Sequence, residues 1–394
     1  MIPPERIIYL DNNATTQLDP AVLEEMLPFL QTYYGNPSAG YRFGRQVRDA
    51  VELARERVAA SLGCDPGEIV FTSGGTESNN TALISALQLD PARQHIVTSA
   101  VEHSATYRHC EALAQQGCAV TFVPVDGAGN LDLAELEAAI RPETAILSAM
   151  WANNETGVLF PVAQIAEIAR RKGVLFHTDA VQAVGKLPVR LAELGANSGS
   201  LSAHKLHGPK GVGALYLNGR SAFRPMLVGG DQENKRRAGT ENVASIIGLG
   251  KAAERALQTM NDEQERVRTM RDRLEQAILA GVPDAFLNGN PAFRLPNTSS
   301  LSFRGIESEA ALVLLDRAGV CCSAGSACQT GSPGGSHVLR AMGLPEERVR
   351  GSLRFSLSRF NTDAEIEQAI EAVKRTIAKL RVISPAAPPD GGAS

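Results

Sequence analysis

No run of 18 apolar residues occurs in the chain, so a membrane-spanning helix is not expected. The opening residues, Met1-Ile2-Pro3-Pro4-Glu5-Arg6, carry no apolar stretch of the secretory kind. The six cysteines, Cys64, Cys110, Cys118, Cys321, Cys322 and Cys328, form no C-x-x-C pair. Thiols so scattered in a chain of this size point to reduced cysteines and a cytoplasmic compartment, and give no support for a zinc or iron–sulfur site held within one chain. An excess of charge of one sign is also missing: 39 basic residues nearly balance 43 acidic ones, for a net charge of −4. Non-specific nucleic-acid binding therefore has no electrostatic basis. Neither G-x-x-x-x-G-K-[ST] nor G-x-G-x-x-G is present, which argues against ATP and dinucleotide sites. No internal repeat stands out, and the one low-complexity tract, Pro385 to Ser394, reads as a disordered tail.

What is there is a 394-residue chain, 43% hydrophobic, long enough for about two domains. From about Glu68 to Leu217, short apolar runs alternate with helical patterns. Strands are expected at Ile69–Phe71, Ile96–Thr98, Val120–Val123, Ala145–Met150, Val174–His177 and Val212–Leu217, with helices at Glu77–Leu87, Thr106–Gln116, Leu133–Ile140 and Val162–Arg171. Apolar strands separated by helices predict a mostly parallel sheet in a large α/β domain, with ligands beyond the strands' carboxyl ends. His103, Asn154, Asp179 and Lys205 all follow such strands. A charged stretch of helical period, Ala244 to Gln276, is expected to break at Met260-Asn261-Asp262-Glu263 and to mark a boundary. Beyond it come a strand at Thr298–Phe303, a helix at Ser308–Asp316, a strand at Ser352–Ser358 and a helix at Asp363–Leu380.

Several constellations carry chemistry. Ser73-Gly74-Gly75-Thr76-Glu77-Ser78-Asn79 joins a strand to a helix, where close backbone approach and free N–H groups suit a phosphate; a tight turn alone would look the same. Lys205, within Ser202-Ala203-His204-Lys205-Leu206-His207-Gly208-Pro209-Lys210-Gly211, has the polar setting of a Schiff-base lysine, with a surface lysine as the alternative. Asp179 ends an apolar strand and needs a cationic partner to stay charged, such as a protonated pyridine nitrogen, unless it only caps a helix. His103 suits stacking on an aromatic ring and moving protons. His177, inside a strand, reads as a core residue. Strand alternation sends Leu353, Phe355 and Leu357 to one face and Arg354 to the other, where a guanidinium can hold a carboxylate bidentately or merely decorate an edge. The long polar run from Gly229 to Asn242 is expected to be functional or at an interface, although Arg236 and Arg237 also fit a solvated patch. Small and polar neighbours, Ser323-Ala324-Gly325-Ser326-Ala327-Cys328-Gln329-Thr330-Gly331, predict a flexible, exposed loop that leaves the Cys328 thiol available for chemistry.

These residues, with Tyr9-Leu10-Asp11-Asn12-Asn13-Ala14-Thr15-Thr16, Val101-Glu102-His103, Ala152-Asn153-Asn154-Glu155-Thr156-Gly157, Phe176-His177-Thr178-Asp179-Ala180-Val181-Gln182-Ala183-Val184-Gly185 and Arg236-Arg237-Ala238-Gly239-Thr240-Glu241-Asn242, resemble the pyridoxal-phosphate-dependent cysteine desulfurases, in particular their nitrogen-fixation branch. The likeness runs to about Leu380. It implies the fold type I aminotransferase-like architecture: a large domain with a mostly parallel seven-stranded sheet (residues 21–260), a smaller α+β domain carrying the cysteine loop (261–382), an N-terminal segment joining the small domain (1–20) and a tail (383–394). It implies a homodimer in which Lys205 holds pyridoxal 5′-phosphate. Gly75, Thr76, Ser202 and His204 would bind the phosphate, joined by Thr240 of the second subunit. Asp179 would pair with the pyridine nitrogen, Gln182 would bond the phenolic oxygen, and His103 would stack on the ring and shuttle protons. Asn154, beside the cofactor, and Arg354 would hold the carboxylate of L-cysteine. Cys328 would be the nucleophile, passing sulfur as a persulfide to an Fe–S scaffold protein and serving at most as a transient cluster ligand shared with that scaffold. No other metal, nucleic acid or membrane is implied. Selenocysteine lyase or sulfinate desulfinase activity, an aminotransferase and a non-catalytic binding protein are the alternatives. Three positions depart from the pattern: Ala203 in place of glycine, Ser332-Pro333-Gly334-Gly335 without the usual glutamate-proline, and the polar Gly195-Ala196-Asn197-Ser198-Gly199-Ser200.

Overall fold

The computed structural model describes residues 7–324 and 335–383. In chain order its elements are β1 (Ile8–Tyr9), α1 (Pro20–Gln31), α2 (Arg42–Leu62), β2 (Ile69–Thr72), α3 (Gly75–Leu89), β3 (His95–Ser99), α4 (Ser104–Gln115), β4 (Ala119–Val123), α5 (Leu133–Ala139), β5 (Thr144–Ser148), α6 (Val162–Lys172), β6 (Leu175–Asp179), α7 (Leu191–Leu194), β7 (Ser198–Ser202) and β8 (Gly213–Leu217). There follow α8 (Val243–Gly281), β9 (Ala285–Leu287), β10 (Thr298–Phe303), α9 (Ser308–Arg317), β11 (Val320–Cys321), β12 (Ser323–Ala324), α10 (His337–Ala341), α11 (Glu346–Arg350), β13 (Ser352–Ser356) and α12 (Asp363–Ile383).

Seven strands form the central sheet in the order β2-β8-β7-β6-β5-β3-β4. All neighbours pair in parallel except where β8 lies antiparallel between β2 and β7. The expected mostly parallel, seven-stranded α/β architecture is what the chain adopts. β7 is the strand the hydrophobic pattern misses. Ser198-Gly199-Ser200-Leu201-Ser202 is polar yet buried throughout, because side-chain partners replace apolar packing: Ser198 Oγ meets His177 Nδ1 at 2.8 Å, and Ser200 Oγ meets His177 Nε2 at 3.3 Å. Gly199 admits Leu191 of α7, whose Cδ1 would lie 2.7 Å from any added Cβ. The polar run is therefore a strand that carries the backbone to Lys205.

The second sheet, β12-β13-β10-β9, is antiparallel, so Arg354 lies on an interior strand and not on an edge. Leu353, Phe355 and Leu357 enter the apolar core beneath it, as alternation requires. Helix α8 runs unbroken through Met260–Glu263, correcting the expected interruption there. Its first half packs Ile246, Leu249 and Ala253 into the core of the large sheet, and its second half packs Val267, Leu274 and Ile278 into the core of the small one. The run around Met260 is polar because it bridges two cores, not because the helix ends. The N-terminal segment crosses between them: β1 pairs with β11, Asn12 N–H donates to Ser356 O, and Thr16 N–H donates to His204 O.

The long polar stretch after Gly229 is tied into the protein. Arg236 donates to Gly67 O and Ile69 O, and Arg237 pairs with Glu77 at 2.9 Å. Glu233 is buried against Arg55 at 2.7 Å and also accepts from Phe71 N–H. Arg236 holds the chain entering β2 and Arg237 the first turn of α3 beyond it, so they are not a solvated patch.

Candidate active site

The carboxyl ends of the parallel strands converge on a cleft of about 400 Å³. Gly75, Thr76, His103, Asn154, Asp179, Gln182, Ser202, His204, Lys205 and Arg354 all line it. Thr240 is exposed and lines none of it. Cys328 lies outside the described residues, as do Ser332, Pro333 and Gly334.

Lys205 follows β7 on one turn of 3₁₀ helix, Ala203–Lys205. Ala203 is fully buried in that turn, where φ is negative, so its methyl group adds no backbone strain. The Lys205 ammonium donates to the carbonyls of Asn13 at 2.5 Å and Ala14 at 2.7 Å. Asn13 continues the chain of contacts: its Nδ2 donates to Asn154 O, which also accepts from Arg354 Nη1 at 2.9 Å. Lysine and arginine are thus connected through two asparagines and their two main-chain carbonyls.

Asp179 at the end of β6 accepts from Val181 N–H at 3.0 Å and from Asn79 Nδ2 at 2.6 Å. Asn79 Oδ1 in turn meets His177 Nε2 at 3.0 Å. Burial pushes His177 down to about 3, so it is neutral and serves as a fixed hydrogen-bonding strut behind the aspartate. His103 caps α4, its Nδ1 accepting from Ala105 N–H at 3.1 Å. That bond leaves the proton of the neutral ring on Nε2. Burial lowers the His103 pKa, with the charge of Asp179 opposing. Burial and the neighbouring Lys205 and Lys210 push His204 down to about 4. Two carboxyls beside the cleft move the other way: burial pushes Glu102 up to about 8 and Glu155 up to about 7.

The cleft fits pyridoxal phosphate. Helix α3 starts at Gly75 after a Gly74 cap, and the first-turn amides of a helix have no intrahelical acceptor, which suits a phosphate beside the Thr76 and Ser202 hydroxyls. Asp179 offers an anion held by two donors. Two polar atoms of the lining, Asn154 Oδ1 and Arg354 Nε, are buried without a partner among the described residues. Buried polar atoms are normally paired, so both await a ligand. Among the described residues no group of His, Cys, Asp or Glu could hold a metal ion, no disulfide forms, and no helix is long and apolar enough to cross a membrane.

Sequence reasoning passed over Asn13, Asn79, Glu155 and His337, which also line the cleft. Asn79 carried a signal: it lies four residues after Gly75, on the same helix face. Asn13 acts largely through its carbonyl, which no side-chain pattern reveals.

Comparison with known proteins places this cleft in context. Residues 8–369 match the family model described as aminotransferase class-V. Cysteine desulfurase 2 of Trichormus variabilis is 52% identical over 379 residues, covering 96% of this chain and 95% of that protein. Cysteine desulfurase NifS of Azotobacter vinelandii is 51% identical, with 96% and 94% covered. Among solved structures, a NifS-like protein superposes with a TM-score of 0.89 at 36% identity over 95% of this chain and all of that one. A NifS-like protein from Rickettsia africae gives 0.86 at 32% identity, covering 94% and 99%.

Proposed function

The chain belongs to the aminotransferase class-V family, and on that footing we propose how its cleft works: it is a pyridoxal-phosphate-dependent cysteine desulfurase, turning L-cysteine into L-alanine and taking the sulfur onto a protein thiol. The observation that carries this reading is the pair Asn154 Oδ1 and Arg354 Nε, buried without a partner among the described residues in the cleft that Lys205 also lines. An arginine with a free buried N–H suits an amino-acid carboxylate, and a lysine beside it suits a carbonyl cofactor.

When bound, the cofactor supplies an electron sink that accepts the bonding pair released at the substrate's α-carbon. The protein's residues do the rest. Gly75, Thr76, Ser202 and His204 would hold the phosphate, Asp179 would pair with the pyridine nitrogen, and Gln182 would donate to the phenolic oxygen. Arg354 and Asn154 fix the substrate carboxylate. Lys205 takes the α-proton, and His103, with its proton on Nε2, is suited to return one. The Cys328 thiolate attacks the substrate sulfur: an S–S bond forms, the C–S bond breaks with its electron pair passing to carbon, and that carbon gains a proton. L-Cysteine and a thiol thus become L-alanine and a persulfide, with nothing else consumed.

The described cysteines support Cys328 by their own unsuitability. Burial raises the thiol pKa of Cys64, Cys110, Cys118, Cys321 and Cys322, which keeps each protonated. The ends of the segment that bears Cys328 are anchored at the cleft: Ser323 donates to Asp11, which holds Arg354, and Ser336 donates to Glu155. In this reading the enzyme works as a cytoplasmic homodimer, with Thr240 completing the second subunit's phosphate site. It delivers sulfur to an Fe–S scaffold, and the likeness to NifS favours nitrogenase maturation.

The test is turnover. Purified protein supplied with cofactor, L-cysteine and a dithiol to reduce the persulfide should release alanine and sulfide in equal amounts. Cys328→Ala should abolish both, and Lys205→Ala should remove the visible absorbance band. Undiminished turnover by Cys328→Ala would overturn the persulfide route, and consumption of a keto acid would favour transamination.

A further inference from the structure

One lysine near the cleft has no part in the chemistry above. Lys186 lies four residues beyond Gln182 on the turn that follows β6, and its backbone carbonyl accepts from Gln264 of α8. Its Nζ donates to Gln182 Oε1 at 3.0 Å and to the Gln182 carbonyl at 3.1 Å. On the other side of the same carboxamide, Gln182 Nε2 donates to Asn13 O at 2.9 Å.

The two contacts select one orientation of the amide. Burial pushes Lys186 down to about 7, yet in either protonation state Nζ faces two oxygens of Gln182 as a donor, so this arrangement requires the carboxamide oxygen; a main-chain carbonyl can only accept, so it requires the nitrogen. Turning the amide over would set N–H against the N–H groups of Lys186 and oxygen against oxygen, losing both bonds as they stand. Gln182 itself is buried, so no water is at hand to repair the loss. With its oxygen held by Lys186, the only polar hydrogens Gln182 has left belong to Nε2, beside Asn13 in the cleft lining.

We propose that Lys186 is a positioning residue that locks the Gln182 carboxamide so that it meets the cofactor's phenolic oxygen as a hydrogen-bond donor and never as an acceptor. This rests on the reading of Gln182 as the contact of that oxygen. A donor favours the anionic phenolic oxygen, while an acceptor in the same place would oppose it. Lys186 thereby acts on the electronic state of the bound group without touching it.

The test reads that state directly. Holoprotein is reconstituted for wild type, Gln182→Leu, Lys186→Met, Lys186→Arg and the Gln182→Leu/Lys186→Met pair, and the visible absorbance band is titrated against pH. Gln182→Leu should raise the midpoint, because the donor is gone. Lys186→Met should raise it by about half a pH unit or more, as expected for a weakened hydrogen bond to a charged oxygen. Lys186→Arg, which still donates, should restore it, and the double variant should titrate with Gln182→Leu alone. A Lys186→Met shift that is absent, or that persists undiminished in the Gln182→Leu background, overturns the proposal while leaving Gln182 in place; the second result would mean that the lysine charge acts directly. A Gln182→Leu midpoint equal to wild type overturns the Gln182 reading and this proposal with it. If Lys186→Met does not fold, as judged by thermal unfolding of the cofactor-free protein, Lys186→Leu, which also cannot donate, takes its place and is read in the same way.

Discussion

Asp11 and Arg354 form an ion pair, Nη2 to Oδ1 at 2.7 Å, and the same Oδ1 accepts from Ser323 Oγ at 2.8 Å. One carboxylate oxygen thus serves both the arginine that faces the cleft and the strand that leads towards Cys328. Arg354 is only 1% exposed, so it depends on that charge. Asp11→Ala should lower stability by about 2–3 kcal/mol, somewhat less than for a fully enclosed pair because Asp11 is partly exposed. Urea unfolding reads the loss directly. L-Cysteine should recover part of it in the Cys328→Ala background, because the substrate carboxylate offers the guanidinium a new counter-charge.

The pair Glu233–Arg55 is purely structural and should behave as such. Both side chains are buried, and Glu233 also accepts from Phe71 N–H on β2. Glu233→Leu should cost about 3 kcal/mol, since it leaves the buried guanidinium with only the exposed Glu52 carboxylate as counter-charge. The double variant Glu233→Leu/Arg55→Met should be less damaged than Glu233→Leu alone, because the buried, poorly compensated charge has gone. Denaturant midpoints of the three proteins check the ordering.

Glu155 gives a pH signature. Burial raises its folded pKa to about 7, above the ordinary carboxyl value. The folded state therefore binds the proton more tightly than the unfolded chain. Its contribution is fully present below the unfolded pKa and is lost as pH rises through about 7. Glu155→Gln keeps the shape of the neutral acid and can still accept from Ser336. The variant should gain stability relative to wild type as pH is raised from 5 to 8, seen as diverging urea midpoints. A constant difference across that range would count against a neutral Glu155.

Gly75 opens α3 without a side chain for a steric reason: an added Cβ would lie 2.7 Å from Val181 Cγ2. Val181 sits between Asp179 and Gln182, so pushing it displaces two groups that face the cleft. Gly75→Ala should weaken pyridoxal phosphate binding by about tenfold or more, a cost of about 1.4 kcal/mol. Adding Val181→Ala should return most of it. Equilibrium dialysis of the cofactor against both variants measures the effect.

The strands β2, β3, β4, β5, β6 and β8 were legible because each is an apolar run between turn residues. β7 was not, since His177 and Leu191 take the places its own side chains would ordinarily fill. The unbroken course of α8 was hidden for the opposite reason: Asn261-Asp262-Glu263 looks like a stop, yet the segment is merely solvated between two cores. The residues lining the cleft were legible wherever a side chain carries the chemistry, as with Lys205, Asp179 and Arg354. Asn13 was not, because its carbonyl does the holding, and Glu233 was not, because its partner Arg55 lies 178 positions away in the chain.

Helix α8 acts as an axle. Its first half is keyed into one core and its second half into the other, so the azimuth of the small sheet about the helix axis is fixed by the residue count between Ala256 and Val267. One residue inserted there would turn everything beyond it by roughly 100° and advance it by roughly 1.5 Å. Both cores would keep their own contacts, yet Arg354 would swing away from Asn154. Length along this rod is thus a catalytic parameter, set by residues that never approach the substrate.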